Sequence, residues 1–477
     1  MNSWLNIPFV LLILGGLMLA LRHWQRTARP NPELVRKLLH IPMGMVTLTF
    51  PWLFESVWQV AVLGGLAIAW LMTLRLYRPL AQGLGSVLGG VGRRSLGEVY
   101  FPLSVVILFA LTPGQPLLYV IPILILALAD AAAALVGTRY GQMRYVATEG
   151  YKSTEGSLSF FMATFFSVHV PLLLFSPAGR PESLLIATIL GLLVMLIEAI
   201  AWQGLDNLFI PLGSFLLLQT HLAMDTPALV ARLVVLGALI GFLWLWRGHT
   251  TLNDGALLGA ALVGYFCWSV GGWPWLLAPL TLVLCYPLLI YRPTAQQPLS
   301  PAEKAVMLWQ PIEDDSQAWT RIHNVHAVLS VAAAGLLWLF LAQTFDRPQL
   351  IYPYTLAFAV NLAIICVAGL SPVHYWSRRH QWQVVRHILL SWLLLFGPLF
   401  ILQGASSGAI AAAWLGLVGT ALGAIAFYRV QPLLQQHCTE SLRWVYRALF
   451  TTLVSCLELG AISEAIASGV ALIAGGC

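Results

Sequence analysis

Apolar runs of about 17–25 residues follow one another along almost the whole chain, separated by short polar segments. That is the length needed to cross a hydrocarbon core. No water reaches the bilayer core to satisfy a backbone amide, so a run that crosses it must close its hydrogen bonds internally, as a helix. The charge content agrees: 9% of the 477 residues are charged, against roughly 25% in a soluble domain, and mean hydropathy is +0.81. The predicted fold class is therefore all-α, a multi-pass transmembrane helical protein with about 15–16 spanning helices. Spans are expected near 4–21, 39–54, 57–74, 101–112, 116–137, 155–175, 184–202, 207–222, 228–246, 255–270, 273–291, 325–344, 351–370, 388–403, 408–428 and 446–470. The runs at 39–54 and 101–112 are short, which predicts tilted, broken or re-entrant helices.

The basic residues test this list. With the 22–38 loop in the cytoplasm and strict alternation thereafter, only Arg180, Arg232 and Arg347 fall on or near the outer side. The other 22 of the 25 lysines and arginines lie in cytoplasmic segments, as the positive-inside rule requires. One span missed or invented would scramble that split. The formal charge of +6 is spread singly between apolar runs, which excludes a basic stripe for nucleic acid. Cys267, Cys285, Cys366, Cys438, Cys456 and Cys477 show neither CxxC nor paired spacing, and are expected to be free thiols. The first apolar run has no basic residue before it and no small-residue cleavage site after it, the pattern of a retained helix. The chain is expected to divide near 223–228, into domains 1–225 and 226–477. The second is mostly apolar, with one long loop at 292–324 that holds Glu313, Asp314 and Asp315.

Charges within a span are costly and so mark function. Asp130 lies in LILALADAAAALVGTRYG, about two helical turns from the cytoplasmic end of its helix. Glu198, in MLIEAIAWQGLDN, is expected at a comparable depth. Two carboxylates opening to one side suit a divalent cation or a shared proton; the alternative for each is a buried acid paired with a cation or a backbone group. Gly137 and Gly141 follow Asp130 and let backbone approach a ligand closely. Lys152 then precedes Ser153, a candidate N-cap. A helix N-terminus with a lysine and a glycine loop is a phosphate site in kind, though no Walker A sequence is present. Asp206, in the Gly204–Asn207 turn, suits either a helix cap or magnesium. Glu33, Arg36, Lys37 and His40 share one helical face, as a binding face or an interfacial anchor. Arg93, Arg94 and Glu98 form a fourth cytoplasmic segment. Together these groups suit a phosphate-bearing soluble ligand meeting a lipid-dissolved partner.

RKLLHI at 36–41, D-x6-G-x3-G from Asp130 to Gly141, KSTEGS at 152–157 and E-x7-DN-x3-P from Glu198 to Pro211, in that order, resemble the phytol kinase and dolichol kinase family. The resemblance covers roughly residues 30–222. It implies a membrane kinase of an isoprenoid alcohol such as phytol or a polyprenol, using CTP (or UTP or ATP) as phosphoryl donor with Mg2+. It places Asp130, Lys152, Glu155, Asp206 and Asn207 around the nucleotide phosphates and the metal, with Asp130 or Glu198 as base. The membrane implied is a bacterial plasma membrane or a thylakoid membrane, with the active site on the cytoplasmic side. The second part weakly resembles the phytyl-phosphate kinase family through TLNDGALLGAALVG (251–264) and GGWPWLLAPLTLVL (271–284). That family carries an acidic segment in a later helix; here the segment reads YTLAFAVNLAIICVAGL, with Asn361 and no acid, which predicts a degenerate or structural module, or one with a divergent role.

Two other classes compete. A membrane cytidylyltransferase making a CDP-lipid would share the nucleotide and the lipid interface, but the late KD followed by PGHGG of the phosphatidate enzymes is absent. A transporter would also place acids in helices, at a midplane site between repeats; here the acids lie towards one face.

Overall fold

The computed structural model describes residues 3–28, 32–77, 96–147, 151–290, 323–368, 378–404, 407–437 and 443–456. The chain forms two compact units, Met1–Gly237 and Ala238–Cys477, except that Leu308–Pro311, which lies outside the described residues, groups with the first. Among the described residues, 11 helices are long and apolar enough to cross a membrane. Three shorter apolar helices, at 38–53, 97–111 and 273–289, add to them. Large side chains such as Leu12, Trp58, Phe175 and Ile401 stand exposed on helix surfaces, a distribution stable against lipid and unstable against water. The protein is an integral, all-α membrane protein.

The first unit contains α1 (Asn6–Ala28), α2 (Pro32–Leu48), a single turn α3 (Phe50–Leu53), α4 (Val57–Leu76), α5 (Gly97–Leu111) and α6 (Pro116–Tyr140). A two-stranded antiparallel hairpin, β1 (Arg144–Val146) with β2 (Tyr151–Ser153), then leads into α7 (Thr154–Phe175), α8 (Arg180–Ile200) and α9 (Asp206–Leu222). The short 39–54 run is indeed broken, into α2 and α3. At the far end of the unit, Asn6 Nδ2 donates to Leu53 O at 2.6 Å and the Tyr119 hydroxyl donates to Thr47 O at 3.0 Å. Burial orders the helices: 61% of the α8 span is buried, against 17% of α1, so α1 is peripheral. Helix α6 packs against α7, α2 and α9. A Cβ on Gly44 of α2 would stand 2.4 Å from Ala127 Cβ of α6, so only glycine permits that approach.

Helix α10 (Thr226–Trp246) runs across the boundary between the units. The second unit continues with α11 (Asp254–Gly271), α12 (Trp273–Ile290), α13 (Val325–Thr344), α14 (Ile351–Ala368), α15 (Arg378–Gln403) and α16 (Ser407–His437). Residues 443–456 form a last described helix, α17. Polar caps start two of these: Asn253 accepts from Ala256 N at 2.8 Å, and Asn324 from His326 N at 3.1 Å. Helix α14 is the core of this unit, with 83% of the 348–367 span buried. Cys267, Cys285, Cys366 and Cys456 are free; Cys438 and Cys477 lie outside the described residues, as do Glu313, Asp314 and Asp315.

Candidate active site

The polar motifs of the first unit come together because six helix ends meet. Arg75, at the end of α4, pairs with Glu98, at the start of α5, at 3.5 Å. Leu96 N donates to Gln203 O at 3.1 Å, and Asn207 Nδ2 donates to Gly97 O at 3.0 Å. These bonds join the start of α5 to the turn between α8 and α9. That turn holds Gln203 and Gly204 at φ 53° and 83°, left-handed backbone that glycine adopts freely and glutamine at a cost. The end of α6, the hairpin, the start of α7 and the end of α8 complete the cluster.

The hairpin sets Lys152. Along β2, side chains alternate between faces, so Ser153 points down to the helix ends while Lys152 faces the other way. Ser153 is buried and caps α7, accepting from Gly156 N at 3.1 Å. Lys152 Nζ donates to the Glu198 carboxylate at 2.6 Å and to Glu198 O at 2.5 Å. The two side chains are 26% and 13% exposed. Glu155, in the first turn of α7, accepts from Gln142 N at 3.1 Å and Met143 N at 3.2 Å, which clamps the start of the hairpin.

Several expectations are revised. Gly137 and Gly141 were expected to admit a ligand. Instead their space is taken by the chain itself: a Cβ on Gly141 would lie 2.3 Å from Gly137 O and 2.7 Å from Ser153 Cβ, and one on Gly137 would lie 3.1 Å from Ser153 Oγ. The glycines let α6 approach the capped end of α7. Asp130 and Glu198 were expected at one depth. Glu198 occupies the last turn of α8 and pairs with Lys152, whereas Asp130 is ten residues inside the end of α6, buried at 9% exposure. Asp206 does not cap α9: the cap position is Leu205 and no side-chain cap bond forms.

Other expected residues are placed less closely. His40 packs its ring edge against Phe101, with centroids 5.3 Å apart. Arg36 and Lys37 ride on α2, but their side chains, like that of Glu33, lie outside the described residues, as do Arg93 and Arg94. Sequence reasoning missed the hairpin and the Arg75–Glu98 and Asn207–Gly97 ties. The Gln203-Gly204 pair signals the turn, but nothing in the sequence names its partner at residue 96.

The buried atoms left unsatisfied describe what the site accepts. Glu155 Oε2 and Asn207 Oδ1 are buried oxygens with no hydrogen-bond partner among the described residues. Both sit in the first turn of a helix, and both are acceptors. An orphaned carboxylate oxygen and amide oxygen match the ligands of a hard divalent cation. No group of three or more His, Cys, Asp or Glu side chains among the described residues is placed to hold a metal alone. Magnesium does not need one: it is commonly held by one or two carboxylates, waters and substrate phosphates.

The chain is 32% identical over 216 residues to a phytol kinase of Synechocystis sp., an alignment that covers 45% of this chain and 90% of the relative. The chain belongs to the phytol kinase family. No family model matches it, and no solved structure does. Of the residues that the phytol kinase resemblance assigns to phosphates and metal, Lys152, Glu155, Asp206 and Asn207 all stand at this cluster of helix ends, with Asp130 deeper in α6.

Proposed function

We propose that the first unit, in the region expected as domain 1–225, is a kinase that transfers the γ-phosphoryl group of a nucleoside triphosphate, CTP in the first instance, to an isoprenoid alcohol such as phytol or a polyprenol. The observation that supports the reading is that Lys152, tied to Glu198 at the end of α8, and the orphaned oxygens of Glu155 and Asn207, in the first turns of α7 and α9, belong to helix ends linked at one end of the first unit. A nucleotide arrives there from water and the alcohol from the bilayer. The relative named phytol kinase supports the same reaction class.

Phosphoryl transfer depends on positioning and on neutralising phosphate charge. Lys152 exchanges Glu198 for a phosphate oxygen, acting as a point charge. Glu198 holds the lysine aimed at the site until then. Glu155, Asn207 and Asp206 are the residues that would hold Mg2+, which supplies charge neutralisation to the β- and γ-phosphates when bound. Asp130, buried ten residues inside the end of α6, is assigned here as the group that accepts the alcohol's proton. The alcohol oxygen bonds to the γ-phosphorus as the bond to the bridging oxygen breaks, and the nucleoside diphosphate leaves. The distribution of Lys and Arg supports a cytoplasmic location for this end.

The test is product identification. Purified full-length protein is incubated with phytol or a longer polyprenol, magnesium and γ-labelled CTP, and the lipid extract is resolved. A labelled prenyl monophosphate is expected. A CDP-lipid, or no covalent product with nucleotide bound, would refute the kinase reading in favour of a cytidylyltransferase or a transporter.

A further inference from the structure

The second unit contains an open-mouthed cavity of about 100 Å³, lined by α10 to α14 and α17. Most of its wall is aliphatic or aromatic: Leu239, Val263, Leu276, Val283, Val331 and Phe358 are typical. Four polar side chains break the pattern, and they are connected. Tyr286 and His323 share Thr251: the Thr251 amide donates to the Tyr286 hydroxyl at 3.0 Å, and Thr251 Oγ1 lies 2.8 Å from His323 Nδ1. His323 contacts Trp444 edge to face at 6.2 Å, and the Arg447 guanidinium lies 5.6 Å from the Trp444 ring centre. The cavity is therefore apolar along its length with one polar corner, where α11, α13 and α17 begin and α12 nears its end.

Arg447 is 7% exposed. Its Nε donates to Asn361 Oδ1 and its Nη2 to Asn361 O, each at 3.0 Å. Asn361 is itself fixed by donating to Ala357 O at 2.9 Å. No carboxylate among the described residues pairs with Arg447. An amide partner satisfies hydrogen bonds and leaves the full positive charge in a low-dielectric wall, where an unneutralised ion is costly. The orphaned buried atoms of this unit include one on the cavity wall itself, Trp444 Nε1. In this unit, among the described residues, they are the N–H groups of Trp246, Arg247, Arg443 and Trp444 and the Ser391 hydroxyl. Four of these five can only donate.

We infer that this cavity is a binding site for an anionic single-chain amphiphile, its head at Arg447 and Trp444 and its tail along the α10–α14 wall. The inference stands apart from the kinase reading and is tested apart from it. Two sources supply such a molecule: an isoprenyl monophosphate, or an anionic lipid of the membrane itself.

The test uses the full-length chain in neutral phosphatidylcholine nanodiscs. The probe is radiolabelled geranylgeranyl monophosphate, with geranylgeraniol as the uncharged control and oleate and phosphatidic acid as competitors. The phosphate is expected to bind at least about tenfold more tightly than the alcohol, the size of one charge-assisted contact. Asn361→Asp, which keeps shape while neutralising Arg447 internally, and Arg447→Met should each remove that margin. Lys152→Ala/Glu198→Gln should leave it intact, which assigns the binding to the second unit. Preference for the isoprenyl phosphate over oleate and phosphatidic acid identifies the first source, and displacement by either of them the second; both support the site. Equal binding of alcohol and phosphate, or an Asn361→Asp protein that binds the phosphate normally, overturns it. Alcohol phosphorylation, measured in parallel, is expected to be unchanged in Asn361→Asp; its absence from the wild type would bear on the kinase reading alone.

Discussion

Lys152→Ala separates a phosphate-binding lysine from a structural one. In the structure Lys152 already has an anionic partner, Glu198, at 2.6 Å. Binding a nucleotide therefore exchanges one anion for another. A charge-assisted hydrogen bond contributes about 1.5–3 kcal/mol; the exchange puts the loss of nucleotide affinity near the lower bound, about tenfold. The substitution also strands the Glu198 carboxylate, 13% exposed, at a cost to stability of about 1–3 kcal/mol. The two effects are separable. Lys152→Ala/Glu198→Gln removes both charges, so it should recover the stability lost in Lys152→Ala but not the nucleotide affinity. Lys152→Arg should restore affinity in part, since a guanidinium is broader and its fork points differently. Thermal unfolding gives the first quantity and titration with a non-hydrolysable CTP analogue in detergent the second. If the double variant folds as well as the wild type and binds nucleotide with wild-type affinity, the lysine is only a tie between the hairpin and α8, and the phosphate argument fails.

Asp130→Asn should abolish phosphoryl transfer while nucleotide affinity changes little, because the amide keeps the buried shape but accepts no proton; full turnover by the purified variant would remove Asp130 from the chemistry. Glu155→Gln should raise the magnesium concentration needed for half-maximal activity by about tenfold, the value of one charged ligand contact; an unaltered magnesium titration would count against the orphaned oxygen as a metal ligand. Gly141→Ala should destabilise the first unit by about 1–3 kcal/mol, as overpacking does, because the new Cβ would meet Gly137 O at 2.3 Å; a variant as stable as the wild type in thermal unfolding would mean the hairpin is not packed as described. Cysteines placed singly at positions 36, 152 and 206 should all react with an impermeant reagent from the cytoplasmic side of oriented vesicles, and labelling of any one from the other side would invert the topology.

Much of this protein is legible in its sequence because membrane constraints are local. A run of apolar residues must be a helix wherever it crosses lipid, and Lys and Arg sort the intervening loops without reference to the fold. For the same reason Ser153 is recognisable as a cap: the amide it accepts from is three residues away. The suspicion attached to Asp130 and Glu198 also follows locally, since a charge in an apolar run is conspicuous by itself, and Lys152 is marked by the N-cap serine beside it. What the sequence leaves open is which groups meet. Lys152 and Glu198 are 46 residues apart, Asn207 and Gly97 are 110 apart, and Arg447 and Asn361 are 86 apart. Only packing makes Gly137 and Gly141 room for Ser153 rather than for a ligand, and only packing turns Asn361 into the amide that holds a buried guanidinium. A helix's existence is decided by its own residues against the solvent; a partner is decided by the crossing of helices whose apolar faces carry almost no record of their neighbours.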